Sequence, residues 1–216
     1  MKISDAPVTP DEIEQGTPEW LLLRCGKVTA SRVADVVART KTGWGATRAT
    51  YMGQLIAERL TGKPTETFKS AAMEWGTNHE AEAREAYSKR TGYEVTEVPF
   101  VDHPEIINSG ASPDGLVGKK GLVEIKCPNT ITHVETILTD GGCGKYYTQI
   151  QWQLACTKRE VCDFVSYDPR LPEEMRLYVK TIPFDYGYAK ELERYVTEFL
   201  AELDAKVSAL KTKYAA

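Results

Sequence analysis

No stretch of this 216-residue chain is apolar for the roughly 18 residues that a membrane-spanning helix needs. No membrane segment is therefore expected. The first residues, up to Gln15, are acidic and lack an apolar core, so they do not read as a secretory signal. A cytoplasmic location is expected, in the host cell if the gene belongs to a phage or prophage. Paired cysteines are also missing. Cys25, Cys127, Cys143, Cys156 and Cys162 are scattered and form no CxxC, which excludes a disulfide framework and a zinc ribbon. Cys143, Cys156 and Cys162 lie near enough in sequence to suggest a metal cluster, but buried free thiols explain them better. Internal repeats and low-complexity tracts are absent, which excludes a solenoid.

An excess of positive charge is absent too. The 27 Lys and Arg are outnumbered by 31 Asp and Glu, for a net charge of −4. That total argues against a nucleic-acid partner, but the distribution argues for one. Residues 21–50 carry Arg24, Lys27, Arg32, Arg39, Lys41 and Arg48 with Asp35 as their one acid. A basic segment on an acidic chain suits a phosphate track confined to one surface, although a solvated helix face has the same charge pattern.

The composition is that of a globular protein, 42% apolar and 27% charged, and the length suits one domain over residues 1–216. Residues 1–17 read as an irregular leader. A helical region follows over 18–62, with a short helix from Pro18, a helix capped by Thr29 or Ser31 and running to about Arg39, a mobile loop over 41–47, and a helix over 48–60 ended by Gly62 and Pro64. The core spans 73–182. Its first helix opens at Thr77-Asn78-His79-Glu80 and stops at Gly92. Strands are expected over 93–101, 106–111, 114–117 and 122–127, the last two joined by a Gly118–Gly121 turn. A helix over 146–157 and strands over 161–167 and 176–182 complete it. Residues 186–211 form a long C-terminal helix with apolar residues at spacings of three and four. The order implies a mixed α/β fold, a central mixed sheet flanked by helices.

The informative segment is SPDGLVGKKGLVEIKCP, residues 112–128. Side chains alternate across a strand, so Leu122, Glu124 and Lys126 share one face and Val123, Ile125 and Cys127 the other. The hairpin returns Asp114 beside Glu124. Two carboxylates side by side repel, and a hard divalent cation relieves that repulsion. Such a cation can polarise a phosphodiester, while a lysine holds or helps deprotonate the attacking water. An exposed cross-strand salt bridge, worth under about 1 kcal/mol, is the plainer alternative.

The segment resembles the PD-(D/E)xK nuclease superfamily, and in particular its lambda exonuclease and YqaJ-like viral recombinase family. WLLLRCGKVTAS (20–31), MEWGTNHE (73–80), YYTQIQ (146–151) and SYDPR (166–170) resemble further family blocks in the same order. The resemblance implies that Asp114, Glu124 and the Ile125 carbonyl bind metal, that Lys126 works on the nucleophilic water, and that Glu80 completes a second metal site. Thr77 and Glu80 also form a capping box, which locally is the better reading of Glu80. Gln149 resembles the family's active-site glutamine, or is an ordinary polar helix residue. Tyr146 is as readily packing. Arg24, Ser31 and Ser112 resemble a pocket for a 5′-terminal phosphate; Ser112 alternatively caps a turn. Met73 falls at the family's strand-separating wedge, or is buried. Arg39 or Lys41 reaches DNA.

The implied activity is a 5′→3′ exonuclease acting on 5′-phosphorylated ends of double-stranded DNA. It would release 5′-mononucleotides, use two Mg²⁺ per site with Mn²⁺ as a substitute, and leave a 3′ single strand for phage-type recombination. A homotrimer and a single-strand annealing protein as partner are implied as well. The rival readings are a structure-specific or restriction-type endonuclease and a non-catalytic DNA-end binding module.

Overall fold

A computed structural model describes residues 13–66, 70–141 and 143–214. Residues 1–12 of the expected leader lie outside the described residues, and Gln15 and Gly16 form a turn. Helix α1 (Pro18–Arg24) begins where sequence rules place it, because the Thr17 side chain accepts the Trp20 N–H and Pro18 needs no donor there. Strand β1 (Val28–Thr29) leads through a 3₁₀ turn (Ala30–Arg32) into α2 (Val33–Val37). Neither Thr29 nor Ser31 caps an α-helix. Thr29 makes no side-chain cap bond, Ser31 lies inside the turn, and α2 stops before Arg39. The loop expected over 41–47 is instead ordered as a small hairpin, β2 (Arg39–Thr40) with β3 (Gly43–Trp44). The Arg39 guanidinium lies 4.0 Å above the Trp44 ring, which ties the hairpin together.

Helix α3 (Ala46–Thr61) closes on left-handed Gly62. Helix α4 (Ala71–Thr91) starts well before Thr77, at Ser70, whose hydroxyl accepts the Met73 N–H. Thr77 is therefore in mid-helix, its hydroxyl donating to the Met73 carbonyl at 3.1 Å, and the Thr77–Glu80 capping box does not exist. The strand expected over 93–101 is two short ones, β4 (Val95–Thr96) and β5 (Val101–Asp102), and they belong to different sheets. Next come β6 (Ser109–Ala111), β7 (Gly115–Val117) and β8 (Gly121–Lys126), the last two in the expected hairpin register. Helix α5 (Thr130–Thr139), capped by Asn129, was not marked in the sequence. Helix α6 (Tyr147–Thr157), strands β9 (Val161–Tyr167) and β10 (Leu177–Pro183), and α7 (Tyr186–Tyr214) complete the chain.

The fold is mixed α/β. The main sheet has the order β10-β9-β8-β7-β4, with β8 and β9 parallel and the other pairs antiparallel. Its two faces are covered by different helices. Val123, Ile125 and Cys127 pack with Ala83 and Tyr87 of α4. Leu122 packs with Ile150 and Leu154 of α6. The alternation read in residues 122–127 thus sorts β8 between two apolar layers, and it aims Glu124 at α6. A second, three-stranded sheet has the order β1-β6-β5. The helices α2, α3 and α7 gather behind it around Val36, Leu55, Trp152 and Phe199.

Residues Ser112, Pro113 and Asp114 are the whole link from β6 in the small sheet to β7 in the main one. Their placement depends on Gly110, where an added Cβ would stand 2.5 Å from the Val101 carbonyl oxygen and 2.5 Å from the Phe100 ring. Backbone cannot give way there as a flexible side chain can. Gly110→Ala is expected to cost about 1–3 kcal/mol, measured as a lowered melting temperature.

Candidate active site

Glu124 is the fixed point of the site. Its carboxylate is 0% exposed, and such a charge is tolerable inside a protein only when hydrogen-bonded. Gln149 Nε2 donates to Oε1 at 2.5 Å and Gln153 Nε2 to Oε2 at 2.6 Å. Lys126 Nζ forms an ion pair with Oε1 and stands 5.1 Å from the centre of the Tyr146 ring. Tyr146 itself stacks on Phe164, so it both packs and borders the lysine.

Asp114 Oδ2 accepts the Ile125 N–H at 2.6 Å. The reason lies in the ladder. Gly115 pairs with Val123 and Val117 with Gly121, so the same register sets Pro113 opposite Ile125. Proline has no N–H, and the Ile125 carbonyl therefore has no ladder donor on that edge. A carboxylate and a bare carbonyl are left side by side.

The charges are unevenly held. Burial raises Asp114 well above the usual carboxylate range; Glu124 and Glu80 push the same way, against Lys126 and the Ile125 N–H. Burial pulls Lys126 down, but Glu124 and Asp114 outweigh it and hold its proton more firmly than in an ordinary lysine. Burial also raises Glu80, against Arg84 and Lys126. The Cys127 thiol is pushed up to about 12, chiefly by burial, so it is no nucleophile. All five cysteines are free.

Among the described residues no three His, Cys, Asp or Glu side chains stand together as a ready ion cage. The acid that would make a third, Glu80, accepts from Arg84 at 2.8 Å. The donor set nevertheless fits a hard divalent ion. Asp114, Glu124 and the Ile125 carbonyl offer only oxygen, and Glu124 opposes the ionisation of Asp114, with Lys126 as the nearby countercharge.

A second cluster begins two residues before Asp114. Ser112 Oγ accepts from Arg24 NH1 and from Trp20 Nε1, both at 3.1 Å, and donates to the Pro99 carbonyl at 2.6 Å. Ser112 is thus a bridge rather than a turn cap. Arg24 also lies 4.0 Å over the Trp20 ring. Burial lowers Arg24 to about 10, with Tyr51 and Glu58 opposing at a distance. Glu58 does not neutralise it, because its oxygens accept from Gly26 N–H (2.7 Å), Gln54 (3.0 Å) and Thr65 N–H (3.2 Å). Arg24 remains a desolvated cation at neutral pH. Ser31 is exposed, 3.5 Å from the Thr29 hydroxyl; it does not bond Arg24 or Ser112.

Met73 is 54% exposed, so it is not a buried packing residue. Arg39 and Lys41 lie on the β2–β3 hairpin, with Lys41 exposed at its turn. Sequence reasoning missed Gln153. Its one available signal was the four-residue spacing from Gln149, which puts both amides on one face of α6.

Residues 19–160 match the YqaJ-like viral recombinase domain, and the chain belongs to that family. It is also similar to solved structures. An alkaline exonuclease from Laribacter hongkongensis, LHK-Exo, is 52% identical, with a TM-score of 0.86 over 92% of this chain and 98% of that one. The same enzyme in complex with dAMP superposes at 0.86 with 51% identity over the same shares. A phage-related exonuclease from Haemophilus somnus 129PT is 14% identical, with a TM-score of 0.70 over 85% of this chain and 96% of that one, and shares the fold. The uncharacterised protein R354 of Acanthamoeba polyphaga mimivirus is 27% identical over 72% of this chain, which spans 29% of that protein's length. No helix among the described residues is long and apolar enough to cross a membrane.

The raised Asp114 makes a prediction with a definite sign. The native state holds the Asp114 proton more tightly than the unfolded chain does, so native ionisation is costly. That cost is absent below the ordinary value of 3.8 and is imposed as pH rises towards the higher folded value. In chelator, the melting temperature is expected to fall over that rise. Asp114→Asn should flatten the fall and be more stable than the parent at neutral pH. Thermal melts from about pH 4 to about pH 8 check this; a variant less stable throughout would overturn it.

Proposed function

We propose that this protein is a divalent-metal-dependent deoxyribonuclease that degrades double-stranded DNA from its ends in the 5′→3′ direction. It releases 5′-mononucleotides and leaves a 3′ single strand for annealing-type recombination. The observation that carries this reading is the Arg24 cation, desolvated and without a carboxylate partner among the described residues, bonded to Ser112 two residues from Asp114. A phosphate site so close to hydrolytic acids is useful to an enzyme that starts at ends. The exonuclease activity of the Laribacter relative and its complex with dAMP, a deoxynucleotide, support the same reading.

Asp114, Glu124 and the Ile125 carbonyl would hold the first divalent ion, Mg²⁺ or Mn²⁺, and Glu80 would join a second after turning from Arg84. Such ions supply the charge that polarises a phosphodiester and lowers the pKa of attacking water. The remaining work belongs to the chain. Arg24 binds the terminal 5′-phosphate through its fork of donors, and Ser112 keeps that fork in place. Ser31 offers its hydroxyl from the exposed edge. Lys126 Nζ hydrogen-bonds the water and opposes charge gathering on phosphorus. With a cation beside Asp114 and Glu124, the charges that hold the proton on Nζ would be offset; Nζ, having given up its own proton to solvent, could then take a proton from the water and pass it to O3′ as the P–O3′ bond breaks. Gln149 keeps Glu124 Oε1 in position. Met73 is free to wedge between terminal bases, and Arg39 and Lys41 to meet the duplex backbone.

In this reading residues 1–216 form one nuclease domain, working in the cytoplasm. A homotrimer enclosing the duplex and a single-strand annealing protein complete it as partners.

End-labelled duplexes test the direction. The 5′-labelled strand should shorten from its label, and a closed circle should survive; efficient cutting of the circle would favour an endonuclease. Lys126→Ala is expected to slow cleavage by about 10²–10⁴-fold while duplex ends still bind, and near-normal turnover would remove Lys126 from the chemistry. Arg24→Ala should erase most of the preference for 5′-phosphoryl over 5′-hydroxyl ends, whereas equal losses on both would count against the pocket.

A further inference from the structure

The Glu124 carboxylate is gripped from two sides, and the two grips differ. Gln149 and Lys126 both reach Oε1, from the partly open side where substrate would lie. Gln153 alone reaches Oε2, from inside the protein, and is itself 0% exposed. It stands one helical turn along α6 from Gln149, between residues that serve two apolar layers: Leu154 faces the main sheet and Trp152 the cluster of α2, α3 and α7.

The amide of Gln153 is oriented at a cost. Its Oε1 is buried and has no hydrogen-bond partner among the described residues. A buried acceptor left unmade is unfavourable, and an apolar side chain would avoid it. The flipped amide would not help, because it would set Oε1 against the Glu124 carboxylate. The orientation therefore follows the negative charge of Glu124. A neutral donor also fixes the carboxylate without cancelling its charge, whereas the ammonium of Lys126 competes for that charge.

We infer that Gln153 is a positioning residue: by holding Oε2 from behind, it fixes the Glu124 carboxylate in place for a divalent cation at the Asp114 pair. It touches neither substrate nor reacting atoms. The inference rests on the metal-dependent reading above and extends it to a residue outside the matched motif blocks.

The test is titration calorimetry of Mn²⁺ and of Mg²⁺ into the full chain, beside thermal melts in chelator. Gln153→Met keeps the length and removes the donor. Its cation affinity is expected to fall by about 10-fold or more, as for other groups that orient a ligand from outside. Its melting temperature should hold or rise, and binding of 5′-phosphorylated duplex ends in chelator should be unchanged. Gln153→Asn keeps the amide but withdraws it by one methylene, and should also weaken cation binding without lowering the melting temperature. Cation affinity within about twofold of the parent in either folded variant would overturn the inference, since losing an orienting group costs about 10–100-fold. So would a loss of affinity that only accompanies a collapse in stability in both. If the parent protein itself neither binds the cations nor degrades DNA, the metal-dependent reading fails instead, and the two failures are distinguishable.

Discussion

A single buried negative charge organises this molecule. Glu124 sits in the middle of β8, a strand flanked by β7 and β9 and covered on both faces. A carboxylate there is stable only if its lone pairs are filled, and the fold fills them from two directions. Lys126 comes from the same strand and the same face; Gln149 and Gln153 come from the helix packed on that face. The other charges adjust to it. Glu124 and Asp114 raise Lys126 against its burial, and Glu124 adds to the burial that raises Asp114. The electrostatic tension that a divalent cation would relieve is thus a direct consequence of placing one glutamate on an internal strand.

The second constraint is covalent. Asp114 cannot move independently of Ser112, because both lie in the three-residue link between the two sheets. At ~3.3 Å per extended residue, the link places the Arg24–Ser112 cluster and the acids within about one nucleotide of each other. Pro113 contributes twice. It stiffens the link, and by lacking an N–H it ends the β7–β8 ladder where Asp114 caps Ile125. Trp20 and the Pro99 carbonyl then fasten Ser112 from the other side. The acids and the Arg24–Ser112 cluster are coupled by geometry rather than by motion.

Much of this was readable in the sequence because it is local. Strand alternation in residues 122–127 assigned each side chain to its correct face, the Gly118–Gly121 turn set the hairpin, and the three-and-four spacing marked α7. What was misread depended on distant partners. Residues 93–101 look like one strand, yet Val95 pairs with Val117 and Val101 with Ala111, in separate sheets. The start of α4 was hidden because Gly76 interrupts its pattern while Thr77 and Glu80 imitate a cap. The β2–β3 hairpin has only two residues per strand, and it is held by Arg39, Trp44 and Tyr195, the last from α7. Gln153 was invisible for a similar reason: a glutamine on a helix carries no pattern until the strand opposite is known to hold a buried carboxylate.

Removing the capping box changes how Glu80 should be weighed. With α4 running through Thr77, Glu80 has no duty at a helix end, and its remaining local partner is Arg84. That partner is shared, since Arg84 NH1 also bonds Glu97 Oε1 at 2.5 Å. If Glu80 turns towards Asp114 and Glu124, Arg84 keeps a carboxylate and is not left as an orphan cation. The Glu80–Arg84 contact is a partly exposed pair one helical turn apart, and pairs of this kind contribute about 0.3–0.5 kcal/mol. Against so small a restraint, the position of Glu80 is decided by charge. Arg84 and Lys126 favour its charge and Glu124 opposes it, so a cation held by Asp114 and Glu124 would add to the pull of Lys126.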